Sequence, residues 1–538
     1  MDILFAQGSR KETVELKKET VKDLGLAGVI DDISRDDKEK KIVTDILTKV
    51  PQDLNDIKFR QEIMKDFLDN DALVQDFTEA SWAIKTLKDY ESTRRKALGN
   101  DSSLFSLLEY LRELTVYVEV LESTIDILEK NEITSSGLKA LLAQAKAIVD
   151  GKEFDELKDD IKLMYDDLSD VRGVVVGINL TPDLNIENIA SVDFVPQRLQ
   201  PRYKVTDIMI SVSNIIYGAN PDNTVGRANS TESKLRSAHW RSVDPQLATL
   251  TPLIEKHLKW HIIKIRRTLS KYIKLDSRQM TEMYEGLTFY LVMARFARKL
   301  KEAGMTVCMP DLASDDSVRS FDIKGLYNIR LFFAGEKDIV TNDLSFAPDE
   351  NIYILTGPNR GGKTILEQAV GIISVMASAG LFVTASSCSG RPFGNILTHF
   401  PIDENLTINY GRLGEEAVRI KEIVGETDER TLILFNETYS TTSAADGLYL
   451  SCDLLRILKE IGSAVIFNTH IHEVARSIDE MNEWPGDSNV VSLVMEIKDN
   501  VNTFHVKRSP PESRSYARNI AEKYGITYEQ MQKGRKAE

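Results

Sequence analysis

The sequence predicts an α + α/β protein, with a long helical region over residues 1–330 followed by a domain built on a mostly parallel sheet over residues 331–538. Three observations carry that expectation. From Met1 to about Asp170 the chain is rich in Glu, Lys, Asp and Leu and almost free of proline, which is the texture of helices. From about Leu331 short apolar runs alternate with helical stretches, the rhythm of parallel strands joined by helical crossovers. Within that second part, Asn351–Leu366 runs as an apolar segment into a glycine-rich turn and out into a helix.

The clearest helix of the first part carries Leu104, Leu108, Leu111, Leu114, Val118, Leu121, Ile125 and Leu128 three or four positions apart, a single apolar stripe. It reads either as a long lever packed on other helices or as an ordinary bundle helix. Gly173–Leu180 is a β-branched run bounded by glycine and predicts a small β insertion near 173–200. Residues 217–234 are polar, with little to bury, and predict a mobile loop. Helical texture returns at Leu253. There Leu258, Ile262, Ile265, Leu269 and Tyr272 form a stripe and Lys264, Arg266, Arg267, Lys271 and other cations fill the remainder. Two readings stand side by side for that basic face: contact with a phosphate backbone, or a solvated face paired with the acidic helices upstream. A further amphipathic helix is expected over Tyr284–Lys299.

In the second part the expected strands are Ile352–Leu355, Leu381–Ala385, Leu432–Phe435 and Ala464–Phe467. The uncharged run from Gln368 to Gly390 is long enough to span a bilayer. It reads better as a helix ending near Gly380 plus the strand at Leu381, hidden in an α/β core, so no membrane segment is expected. The net charge of −15 disfavours a chain that is basic throughout, while leaving room for locally segregated positive charge. Cys308, Cys388 and Cys452 lie far apart, in no metal or redox spacing, which points to a reducing, cytoplasmic setting.

Three stretches carry chemistry. Gly357, Pro358, Asn359, Arg360, Gly361, Gly362, Lys363 and Thr364 fit the pattern in which glycine N–H groups close on an anionic phosphate, a lysine adds mobile positive charge and a threonine hydroxyl meets Mg²⁺. Thr431–Glu437 is an apolar strand ending in Asn436 and Glu437, the position at which nucleotide hydrolases hold the metal and activate water. Asn436 offers an amide oxygen where a carboxylate is usual, and Glu437 keeps the general-base position. Phe467–Glu473 ends another apolar strand and holds His470, which alone reads as a structural histidine and beside the other two motifs reads as a sensor of the γ-phosphate.

Together with Ala379–Val383, Thr442–Ser443, Asp446–Gly447, Glu473 and Ser515–Ala517, these motifs resemble, in order and spacing, the ATPase domain of the MutS DNA mismatch repair family. The resemblance covers nearly all of residues 335–530, includes the approach at Thr341–Asp343, and extends to the helical part in texture only. It implies a dimeric, Mg²⁺-dependent ATPase of the ABC type whose long helices move on duplex or branched DNA, in mismatch repair or related DNA maintenance. On that resemblance ATP lies on residues 357–364, Lys363 holds the β- and γ-phosphates, and Thr364 and Asn436 bind the magnesium shell. Glu437 orients water, His470 senses the γ-phosphate, and Ser443 and Asp446 belong to the loop at the dimer interface. Lys264, Arg266 and Arg267 are the candidate DNA contacts.

The sequence also departs from the family. Asn436 replaces the usual Asp, which predicts slow turnover, and the Ser-Thr-Phe stretch expected near Glu404–Gly414 is absent. No segment reads as the mismatch-reading N-terminal domain, so a short form is expected. A slow or non-hydrolysing nucleotide-gated switch that binds a protein or RNA partner is the alternative.

Overall fold

The computed structural model describes residues 2–97, 104–169, 173–184, 186–195, 197, 256, 258–273, 275, 277–313, 318–358, 360–401, 411–440, 442–498, 501–510 and 526–535. It falls into two compact units, one made of Met1–Trp82, Ser123–Ala145 and Gln279–Glu538, the other of Ala83–Glu122 and Lys146–Arg278. This division differs from the single boundary expected near residue 330, because the N-terminal residues are built into the sheet domain. Thr20 donates to the Ile396 carbonyl, and Asp23 accepts from Thr398 and from Arg419.

In the second unit the expected stripe is realised, with Leu111, Leu114, Val118 and Leu121 buried on the Leu104–Lys130 helix. Leu107 and Leu108 pack on Leu258 and Ile262, at the start of the basic Lys259–Leu269 helix. The β insertion is an antiparallel hairpin of Gly173–Leu180 with Ile186–Val195. Residues 217–234 lie outside the described residues.

In the first unit a six-stranded sheet uses β1 (Glu350–Thr356), β2 (Asn395–His399), β3 (Thr431–Asn436), β4 (Ala464–Asn468), β5 (Asn489–Lys498) and β6 (Val501–Arg508) in the order β2-β3-β4-β1-β5-β6. All neighbours are parallel except β5 and β6. The helices that matter here are α1 (Lys363–Ser378), α2 (Gly411–Gly425), α3 (Ala444–Ile461) and α4 (His472–Arg476). Ile352, Ile354, Ile433, Phe435, Val465 and Phe467 form one core with residues of α2, α3 and α4. On the other face Leu434 approaches Gly371 of α1. Both faces are therefore covered, and the strands read as unbroken apolar runs rather than alternating ones. Among the described residues no helix is long and apolar enough to cross a membrane.

The expected strands around Ile352, Leu432 and Ala464 are present as β1, β3 and β4. Leu381–Ala385 is not a strand: apart from a single antiparallel bridge between Val383 and Cys308 it is a buried connection, and a strand of a separate four-stranded sheet begins only at Ser387. The parallel edge position is taken by β2 instead. The apolar residues at 381–383 are explained by burial, each being 0% exposed, and burial does not require a ladder.

Gly380 closes α1 as expected, with φ +77°, the left-handed conformation that ends many helices. A Cβ there would lie 2.7 Å from the Ile57 carbonyl oxygen of the Leu54–Asp69 helix. The Gly380→Ala variant is thus expected to lose about 1–3 kcal/mol of stability through backbone strain and the clash with Ile57. A urea unfolding midpoint matching the wild type would show that this junction tolerates a side chain.

Candidate functional site

The C-terminal ends of β1, β3 and β4 lie side by side, since β4 pairs with both others, and crevices at such ends are where open α/β sheets place ligands. Beyond β1 the glycine turn runs into α1. Gly357 and Gly362 take φ +145° and +95°, and a Cβ on Gly357 would lie 2.8 Å from Met495 Cβ. The turn can run this close to β5 because these positions carry no side chain. Lys363 is only 5% exposed, and its ammonium donates to the carbonyls of Gly357 and Pro358 at 3.1 and 3.2 Å. Burial pulls its pKa down, while Glu437 and Glu367 oppose that pull. Asn359 lies outside the described residues, and Arg360 is exposed at φ +64°.

Beyond β3, Glu437 holds φ +56°, a left-handed conformation that costs a non-glycine residue about 1–3 kcal/mol. Its N–H donates to the Asn468 carbonyl at 2.8 Å, which fixes the turn against β4. Its carboxylate faces His470 Nε2 at 3.3 Å, and that contact, ahead of burial, holds the Glu437 pKa below the ordinary glutamate range. The structure thus brings together Lys363, Thr364, Glu437 and His470, which line one cavity of about 650 Å³ with Arg360, Gly361 and Gly362. Asn342, from the expected approach segment, lines the same cavity.

Asn436 sits behind that cavity, with its Nδ2 donating to Thr364 Oγ1 at 3.2 Å. Its register partner on β4 is Asn468, whose Nδ2 donates to Asn436 Oδ1 at 2.8 Å and to Glu367 Oε2 at 3.0 Å. Glu367 is 0% exposed, and burial raises its pKa well above the ordinary glutamate range against the opposing pull of Asn468 and Lys363. Neither Glu367 nor Asn468 stands out in the sequence. The signals that could have found them are a carboxylate four residues after Lys363, on the same helix face, and an asparagine ending the strand that neighbours Asn436.

The loop after Glu437 has its own anchor. His399, at the end of β2, pairs its Nδ1 with Thr438 Oγ1 at 2.9 Å and is 3% exposed. Ser443 and Asp446 do not join the cavity; they cap each other at the start of α3, Ser443 accepting from the Asp446 N–H and donating to its carboxylate at 2.6 Å. In the second unit Lys264 is paired with Asp167 at 2.6 Å and Lys271 with Asp160 at 2.7 Å, so these two cations engage the acidic helix upstream. Arg266 and Arg267 are exposed on the same helix. The 402–410 stretch and Ser515–Ala517 lie outside the described residues.

With the fold and this site in view, the class is that of proteins carrying the domain described as MutS domain V, which residues 353–537 match. Residues 52–190 separately match the MutS2 N-terminal domain. Over these two stretches the chain is similar to the MutS family. Among its relatives, an "Endonuclease MutS2" of Lactococcus lactis is 27% identical over 49% of this chain and 33% of its own length. Another "Endonuclease MutS2", of Staphylococcus haemolyticus, is 29% identical over 35% of this chain and 23% of its own. A "DNA mismatch repair protein MutS" of Streptococcus equi is 26% identical over 36% of this chain and 22% of its own. The match thus spans about a quarter to a third of these relatives' length.

Burial lowers the His399 pKa to about 4, so the folded protein keeps this ring neutral where the unfolded chain, near the ordinary value of about 6.5, takes up a proton. His399 therefore costs no stability above about 6.5, and stability falls as pH drops from there towards 4, at up to about 1.4 kcal/mol per pH unit. Unfolding measured across this window is expected to show that slope in the wild type and a reduced slope in His399→Gln. Equal slopes would mean that His399 is charged in the fold.

Proposed function

We propose that the chain is a Mg²⁺-dependent ATPase of the MutS family whose nucleotide lies on the glycine turn at 357–364, a phosphate-binding loop of the ABC type. The observation that carries this reading is the convergence of Lys363, Thr364, Glu437 and His470 on one cavity at the ends of three adjacent strands. Backbone N–H groups of the turn and the start of α1 face an anion, and the Lys363 ammonium, now held by two carbonyls, can turn to the phosphates.

The Thr364 hydroxyl and the Asn436 amide oxygen are hard oxygen donors, which fits Mg²⁺, an ion commonly held by one or two protein groups together with substrate phosphates. When bound, Mg²⁺ supplies charge neutralisation across the phosphates. Glu437, kept ionised by His470, accepts a proton from the attacking water, and the strained turn fixes the direction of its carboxylate. His470 is exposed beside it and in reach of a terminal phosphate.

On this reading two copies of the chain complete each other's sites, with Ser443 and Asp446 at the interface, and the nucleotide state moves the helical region on duplex or branched DNA. Lys264, Arg266 and Arg267, exposed on one helix, are the cations that on this reading meet a phosphate backbone, in a cytoplasmic setting. A second reading, a slow nucleotide-gated switch for a protein or RNA partner, is favoured by the amide at Asn436 and by the pairing of Lys264 and Lys271 with carboxylates.

Steady-state hydrolysis separates the two readings. The Glu437→Gln variant is expected to lose about 10²–10⁴-fold in kcat while still binding nucleotide. Lys363→Ala is expected to lose binding itself. A steep rise in turnover on Asn436→Asp, from a nearly inactive wild type, would favour the switch, and wild-type turnover unaffected by Glu437→Gln would overturn the site. For DNA, affinity at low salt is expected to fall linearly on a log–log plot with added salt. Arg266→Ala/Arg267→Ala should flatten the slope by about 0.9 for each phosphate that is no longer neutralised. No DNA affinity in any nucleotide state would contradict the DNA role.

A further inference from the structure

Resting on the nucleotide site proposed above, we infer that Glu367 is a positioning residue that restores the negative charge Asn436 lacks, held behind the metal position and connected to it through Asn468. Glu367 has no solvent exposure, and its Oε1 has no hydrogen-bond partner among the described residues. A buried carboxyl with half of its hydrogen-bonding capacity unused is costly and calls for a function.

The hydrogen bonds give the direction of the connection. A carboxylate only accepts, so the Asn468 amide turns its NH₂ towards Glu367 Oε2, at 3.0 Å. Its second hydrogen then meets Asn436 Oδ1 at 2.8 Å, which sets the orientation of the Asn436 amide against Thr364. Glu367 thereby fixes which atom each asparagine presents. Burial pushes the Glu367 carboxyl towards its neutral form, and Lys363, one helical turn before it, pulls the other way; a cation at Thr364 would add to that pull and draw out the charged carboxylate when the metal is bound. In this chain the charge usually carried on the strand at 436 would stand on the helix at 367, with Asn436 and Asn468 in register as the bridge.

The bland alternative is a neutral acid that only fills space. Mg²⁺ titration of the binding of a non-hydrolysable ATP analogue, followed by calorimetry with a metal-free baseline, separates the two. Glu367→Gln keeps the shape and can still accept from Asn468, but carries no charge. It is expected to raise the Mg²⁺ midpoint about 10-fold or more while leaving metal-free binding unchanged. Adding Asn436→Asp to that variant is expected to restore the midpoint, whereas Asn436→Asp in the wild type should move it by only a small fraction of that shift, since the charge is already present. An unchanged midpoint in Glu367→Gln, or an Asn436→Asp effect as large in the wild type as in the double variant, would overturn the inference and leave the nucleotide site standing. If Glu367→Gln does not fold, the single Asn436→Asp variant decides: a large tightening overturns the inference and a negligible one supports it. A wild type that binds no nucleotide with or without Mg²⁺ would overturn the functional reading itself.

Discussion

A parallel sheet covered on both faces has nowhere to put polar side chains except at the ends of its strands. Ile354, Phe435 and Phe467 are sealed under α2, α3 and α4, and the opposite side of the same strands meets α1. Each strand then finishes in a residue that cannot be satisfied by apolar neighbours: the turn at Gly357 after β1, Asn436 on β3, Asn468 on β4 and His399 on β2. Their hydrogen bonds are made sideways, from strand end to strand end, and this row of lateral contacts forms a floor behind the residues that line the cavity.

That floor also sets the charges. Lys363 and Glu367 lie one helical turn apart on α1 and are both buried, so each makes the other less costly. The orientation of Glu437 costs backbone strain, and the N–H contact to the Asn468 carbonyl keeps it there. Asn468 thus serves both sides of the site, its backbone holding the Glu437 turn and its side chain joining Glu367 to Asn436.

Much of this is legible in the sequence where the physics is local. The apolar runs at β1, β3 and β4 and the glycine turn announce themselves, because burial on two faces and φ > 0 both restrict residue type. The strand β2 escapes a reading by hydrophobicity because Asn395–His399 mixes polar and apolar residues, and the Leu381 run takes its place because it is more apolar. The N-terminal contribution of Thr20 and Asp23 is not legible at all, since a hydrogen bond across 376 residues leaves no periodic mark. Glu367 escapes for a related reason: a glutamate in a helix normally signals the solvated face, and only the neighbouring strand reveals that this one is inside.

The central claim, that three strand ends form one nucleotide site, is tested most directly by hydrogen–deuterium exchange of the full chain with and without ATP and Mg²⁺. Amides of 357–366, 435–440 and 468–473 are expected to slow together on addition of nucleotide. Protection confined to a single one of these segments, or centred away from all three, would contradict it.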